Sequence, residues 1–216
     1  DVFVLLKSFS NGSSEMVTNL SNSVTTFLFN YAFLEYYGED GVASITIVLY
    51  FQFILTAMFF GYSNGIAPVI SYKYGSGENE QLKTVFKSSI LLIVVGSLIT
   101  FVISRFSVGF VLDVFTGNAS SAVKSVTLEG FGIYSIGFLL MGTSIFASSM
   151  FTAFSDGLVS AIISFARTFL FLAGTIIILP YFFNSTGLWL SVPVAEILGI
   201  IISVWFMVSK RKKYSY

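Results

Sequence analysis

Neither cysteine nor histidine occurs anywhere in the 216 residues. That removes disulfides, thiolate metal sites, haem ligation through imidazole and histidine acid/base chemistry. Ser/His proteolysis and zinc hydrolysis go with them. An aspartyl dyad would need two Asp inside helices, and Asp113 and Asp156 fall at loop edges. Charge is scarce as well: 10% of residues are Asp, Glu, Lys or Arg, against about 25% in a soluble domain. The formal net charge is zero, and nucleic acid is not expected as a partner. The opening DVFVLLKSF carries neither a basic n-region nor a small-residue cleavage site, so no signal peptide is read there. A start at Asp1 suggests a piece of a longer chain.

What the chain has instead is apolar length. Mean hydropathy is +0.87 and 55% of residues are apolar. Six runs carry no charge at all: Met16 to Leu34, Gly41 to Tyr72, Ser88 to Ser104, Gly130 to Ser155, Thr168 to Ala195 and Ile197 to Ser209. A helix needs about 20 apolar residues to cross a hydrocarbon core of roughly 30 Å. Five runs reach or approach that length, and the sixth does so if Glu196 lies inside it. The expected fold is an all-α integral membrane protein, a six-helix transmembrane bundle with helices at about 14–36, 42–72, 86–110, 130–154, 158–180 and 188–208.

Threading six helices back and forth puts Lys7, Lys73, Lys83, Lys87, Arg167, Lys210, Arg211, Lys212 and Lys213 on one side and Arg105 and Lys124 on the other. Nine against two predicts that both termini are cytoplasmic. YYGEDG reads as an acidic outside turn, YKYGSGENEQLK as a cytoplasmic loop, and a polar outside loop is expected around Thr116 to Val126. Pro68 removes one backbone donor, so a kink or a break near Ala67 is expected.

In helix one, Glu15, Asn19, Asn22, Thr26 and Asn30 recur at steps of four, three, four and four, which places them on one face. Lipid cannot solvate such a stripe, so it either lines a water-filled cavity or hydrogen-bonds to neighbouring helices. Glu196 lies near the middle of helix six, where a bare charge costs about 2.5 to 3.5 kcal/mol on insertion scales. Two readings are open: a structural pair with Arg167 on the preceding helix, or a proton or sodium site. Gln52 and the group Ser135, Thr143, Ser144, Ser148 and Ser149 add polarity to helices two and four. Gly61, Ser63 and Gly65 give a small-residue spacing suited to close helix packing. The GSG of Gly75 to Gly77 lacks the Lys and Ser/Thr of a phosphate loop.

Several segments, taken in chain order, resemble the carboxy-terminal half of a multidrug and toxic compound extrusion (MATE) transporter. They are SFSNGSSEMVTNLSNSVTTFLFN (Ser8 to Asn30), YGEDGVA (Tyr37 to Ala43), GYSNGIAPVISYKYGSGENEQLK (Gly61 to Lys83), ISFARTFLF (Ile163 to Phe171), LPYFFNSTGLWLSVPVAEILG (Leu179 to Gly199) and the basic tail. The resemblance implies one lobe of a twelve-helix antiporter of a bacterial cytoplasmic membrane, completed by an amino-terminal lobe. Organic cations would be exported in exchange for protons or sodium, with no other cofactor. It also implies a substrate site between lobes, touched here by helices one, two and four, where 25 Phe and 11 Tyr offer apolar and cation-π surfaces. The acidic seventh-helix residue of some relatives aligns near Asn19, one turn beyond Glu15, and no Asp or Glu within helix four corresponds to the tenth-helix acid of another branch. The alternatives are a flippase for lipid-linked precursors, which would want a cationic cavity, and a non-transporting membrane scaffold.

Overall fold

A computed structural model describes residues 2–116 and 121–216, with side chains for 16–115 and 121–216. The Glu15 side chain and residues 117–120 of the expected outside loop lie outside that range. Among the described residues every element is helical.

Two apolar helical stretches, Met16–Gly75 and Gly157–Tyr214, are 60 and 58 residues long. At 1.5 Å per residue each would reach nearly three times across a ~30 Å core if straight. Neither is straight. The first run, Val2–Gly75, breaks at Gly38 (φ 66°, ψ −154°), separating α1 (2–37) from α2 (39–75). After α3, Asn79–Thr116, the fourth span Ser121–Ala153 is α4, interrupted by a 3₁₀ turn at Ser135–Leu139. Next comes α5 (157–183), which contains a π-helical turn at Ala166–Phe171. A second single-residue break, at Asn184 (φ 49°, ψ −138°), separates it from α6 (185–214).

The two breaks share one device. Gly and Asn are the residues that tolerate positive φ most readily, and each is followed three positions later by a glycine against the end of the previous helix. A Cβ on Gly41 would lie 2.6 Å from the Phe33 carbonyl oxygen, and one on Gly187 would lie 2.5 Å from that of Leu179. The chain can double back this tightly because neither position carries a side chain. Two further connections are short turns: Lys73 pairs with Glu78 at 2.8 Å between α2 and α3, and Ser155 takes φ 58° between α4 and α5.

α4 is the central helix, with 67% of its apolar window buried against 22% for α3. Phe131, Tyr134, Phe138, Phe146 and Phe151 of α4 are essentially inaccessible. The Trp189 ring of α6 meets Phe33 edge-on at 4.8 Å, and its Nε1–H donates to the Tyr37 hydroxyl at 3.2 Å. α3 presents Leu91, Leu98, Val102, Phe106 and Phe110 outward, the pattern of a helix against lipid. At the end bearing the basic tail, Tyr214 stacks on Phe154 at 4.5 Å and donates its hydroxyl to Asp156. Burial pushes the Asp156 carboxyl up, but the Tyr214 hydroxyl and the Lys213 ammonium together hold it below the ordinary range.

Two sequence expectations need correction. Helical dihedrals run through Pro68, so of the two alternatives the break near Ala67 is the one excluded. One missing donor is tolerated where neighbouring groups satisfy the freed carbonyl. Gly61 and Gly65 do not pack closely inside the lobe, since a Cβ on either meets nothing within 4 Å. The packing side of α2 is rotated away from them, onto Phe59, Ser63 and Ile70.

Gly187→Ala is therefore expected to destabilise the protein by about 1–3 kcal/mol, as overpacking does, whereas Gly109→Ala on α3, where a Cβ likewise meets nothing within 4 Å, stays within about 0.5 kcal/mol. Thermal unfolding of the whole protein in detergent checks the contrast.

Candidate functional site

One side of the lobe is unlike the rest. Asn19, Asn22, Ser23 and Thr26 of α1 are exposed there, and on α2 the exposed positions Gly61, Asn64, Gly65 and Pro68 follow the i, i+3, i+4, i+7 spacing of one helix face. Amides have no partner in hydrocarbon, so this side is not built for lipid.

The polar side opens into a cavity of about 440 Å³ bounded by α1, α2, α4 and α5. Asn19, Asn22 and Thr26 line it from α1, together with Gln52, Phe53 and Phe60 from α2 and Tyr134 from α4. The Tyr134 hydroxyl donates to Gln52 Oε1, which fixes the amide at the wall. Asn30, the last member of the stripe, is turned elsewhere: its Nδ2 donates to the Thr26 carbonyl at 2.9 Å, and its Oδ1 accepts from Thr46 at 3.4 Å. The stripe therefore divides, with its middle on the cavity and its far end tying α1 to α2.

Among the described residues Arg167 is the one formally charged residue on that lining. It sits in the π-helical turn Ala166–Phe171, and such turns are frequent at functional positions. Its Nε donates to Glu196 Oε2 at 2.9 Å and its Nη2 to Oε1 at 2.7 Å. Both side chains are nearly buried, 12% and 9% exposed. This parallel fork is the strong form of the ion pair, and it neutralises both groups within the helix bundle. α6 approaches through Gly199, where a Cβ would lie 3.3 Å from both Arg167 Cγ and Ser144 Oγ. Of the two readings of Glu196, the paired geometry is the one present.

Beside the main cavity lies a pocket of about 70 Å³ that Arg167 also lines, with Asn64, Ser144 and Ser149. On its wall α4 and α5 are joined by hydroxyls: Ser148 contacts Ser164 at 2.7 Å and Ser160 at 2.9 Å, and Thr152 contacts Ser160 at 2.7 Å. Sequence reasoning noted Ser148 but missed Ser160, Ser164 and Tyr134. A signal for the first two was present, because Ser148 and Thr152 face Ser160 and Ser164 as two (i, i+4) pairs on consecutive helices.

A six-helix bundle with a polar, aromatic cavity open along one side is the architecture of a lobe from a multi-pass membrane transporter. The MatE family model matches residues 15–178, and the chain belongs to that family. Solved structures agree. The chain is similar to an outward-facing multidrug resistance MATE family transporter of the MOP superfamily (21% identity, TM-score 0.87, 96% of this chain and 48% of that one). The inward-facing conformation matches too (21%, 0.85, 95% and 48%), as does a MOP superfamily transporter from Pyrococcus furiosus (22%, 0.84, 96% and 47%). The chain thus spans about half the length of the solved structures it matches. None of the curated proteins matches it.

Glu196→Gln leaves the Arg167 charge without its partner and is expected to cost about 3–5 kcal/mol, whereas replacing both residues by Met recovers most of the loss. Unfolding midpoints of the two variants, measured side by side, check this.

Proposed function

We propose that this chain is the carboxy-terminal lobe of a cation-coupled antiporter that exports organic cations across a bacterial cytoplasmic membrane. The observation that carries the reading is the cavity itself: amides and aromatic rings on an open side, with the Arg167 charge on its wall cancelled by Glu196. A flat cation is favoured on such a wall by ring faces and amide oxygens, and a neutralised Arg167 does little to repel it. An amino-terminal lobe of the same protein would close the cavity, with both ends of this chain on the cytoplasmic side. The likeness to outward-facing and inward-facing structures alike supports alternating access by rocking of intact lobes. The chemistry is transport rather than catalysis, and the coupling ion is a proton or sodium. With Glu196 held by Arg167, Glu15 is the first carboxylate to test for coupling.

One observation favours a second reading. Arg167 does line the cavity, and the Pyrococcus furiosus relative is described as having a binding pocket of reverse polarity that suggests a different function. Should Glu196 let go of the guanidinium, an anionic substrate such as a lipid-linked precursor would gain a partner. A scaffold role gives the open polar side no purpose.

The whole protein, reconstituted in vesicles, is expected to move a fluorescent organic cation when either a proton or a sodium gradient is imposed. Asn19→Ala combined with Asn22→Ala should slow it about tenfold, the scale of one or two lost hydrogen bonds. Absence of movement under both gradients by folded protein, or movement of an anionic lipid-linked substrate instead, would shift the reading to the flippase.

A further inference from the structure

A second cavity, of about 300 Å³, lies far from the transport face, between the start of α3 and the end of α6. Its walls carry Lys83 and Lys87 from α3 and Arg211 from α6, over a floor of Phe86, Met207 and Tyr216. We propose that this groove holds the phosphate headgroup of an anionic phospholipid.

The cations are placed in a way that needs an anion. Lys83 and Lys87 are one turn apart on α3, a spacing at which like charges destabilise a helix, and Arg211 faces them across the groove. Lys83 is partly answered by Glu80 at 2.8 Å. Among the described residues no Asp or Glu carboxylate reaches salt-bridge distance of Lys87 or Arg211; the Arg211 Nε donates to the Tyr216 backbone oxygen at 3.0 Å. Lys87 and Arg211 therefore carry the site, and a phosphodiester has the charge and the acceptor oxygens to bridge them.

The groove is built rather than incidental. Ser215 takes φ 58° and turns the chain back, so that the Tyr216 ring packs 4.6 Å from Phe86 and its hydroxyl donates to the Met207 carbonyl at 2.7 Å. Tyr216 is buried as a result, at 3% exposure. That fold-back forms one wall and holds the Arg211 stem in place.

A lipid fits better than a soluble anion because of what adjoins the groove. Val208 lines it and also continues a strip of exposed apolar residues along α6 with Ile201, Val204 and Trp205. Trp is favoured at headgroup depth. Acyl chains can lie along the strip while the phosphate sits between Lys87 and Arg211, whereas inorganic phosphate would leave the strip unused.

Native mass spectrometry of the whole protein, released from micelles containing equal phosphatidylglycerol and phosphatidylcholine, tests this. The wild type is expected to retain phosphatidylglycerol preferentially. A hydrogen bond to a charged group is worth about tenfold or more, so Lys87→Gln with Arg211→Gln should lower retention at least about tenfold. Lys87→Arg should keep it, and Lys210→Gln with Lys212→Gln, on the same tail outside the groove, should change it less than twofold. Equal retention by wild type and groove variant would overturn the proposal. So would equal losses in the groove and tail variants, which would mean diffuse attraction, and so would displacement of the lipid by millimolar inorganic phosphate, which would mean a soluble-anion site.

Discussion

The contact on which the polar interior depends is the fork between Arg167 and Glu196. A bilayer offers neither charge a solvent, so each is tolerable inside the bundle only while the other is there. Three local features serve this one contact. The π turn carries Arg167, Gly199 lets α6 come close to its stem, and the Glu196 carboxylate takes both nitrogens. The consequence reaches the function. A cavity that would otherwise present a bare guanidinium presents a neutral wall of amides, hydroxyls and rings.

The second constraint is that, among the described connections, the helices turn back within a few residues at the membrane edge. Gly38 and Asn184 do this with a single residue each, and Gly41 and Gly187 make room for the returning chain. The resulting tight hairpins pack α4 between its neighbours, with α3 turned outward and one side of α1 and α2 left uncovered. An uncovered polar side is unstable as an outer surface in lipid. It makes sense as half of an interface, and the chain spans about half of its solved relatives.

Much of this was legible in the amino acids. Six charge-free runs imply an all-helical membrane bundle, because the bilayer sets helix length and penalises charge so strongly that composition alone carries the signal. The stripe from Asn19 to Thr26 was legible for a similar reason, since amides at helical spacing cannot be lipid-facing. What was not legible depends on rotation about helix axes and on neighbours distant in sequence. Nothing local says that Asn30 turns towards Thr46, that Gly61 and Gly65 face open space, or that α5 widens into a π turn at Arg167. The Glu196 partner was one of two open readings for the same reason: a distance of 29 positions in the chain becomes 2.7 Å only through the α5–α6 hairpin. The groove beside Arg211 rests on the fold-back at Tyr216, which no periodicity announces.

The central claim is that the exposed side of α1 meets water and a partner lobe rather than lipid. The absence of native cysteine from this chain makes it directly accessible to labelling. In the whole protein in membranes, with any other cysteines removed, a membrane-impermeant maleimide should react with Asn22→Cys, and an organic cation should slow the reaction. Leu98→Cys, on the outward face of α3, should stay unlabelled. Asn22→Cys as unreactive as Leu98→Cys would contradict the account.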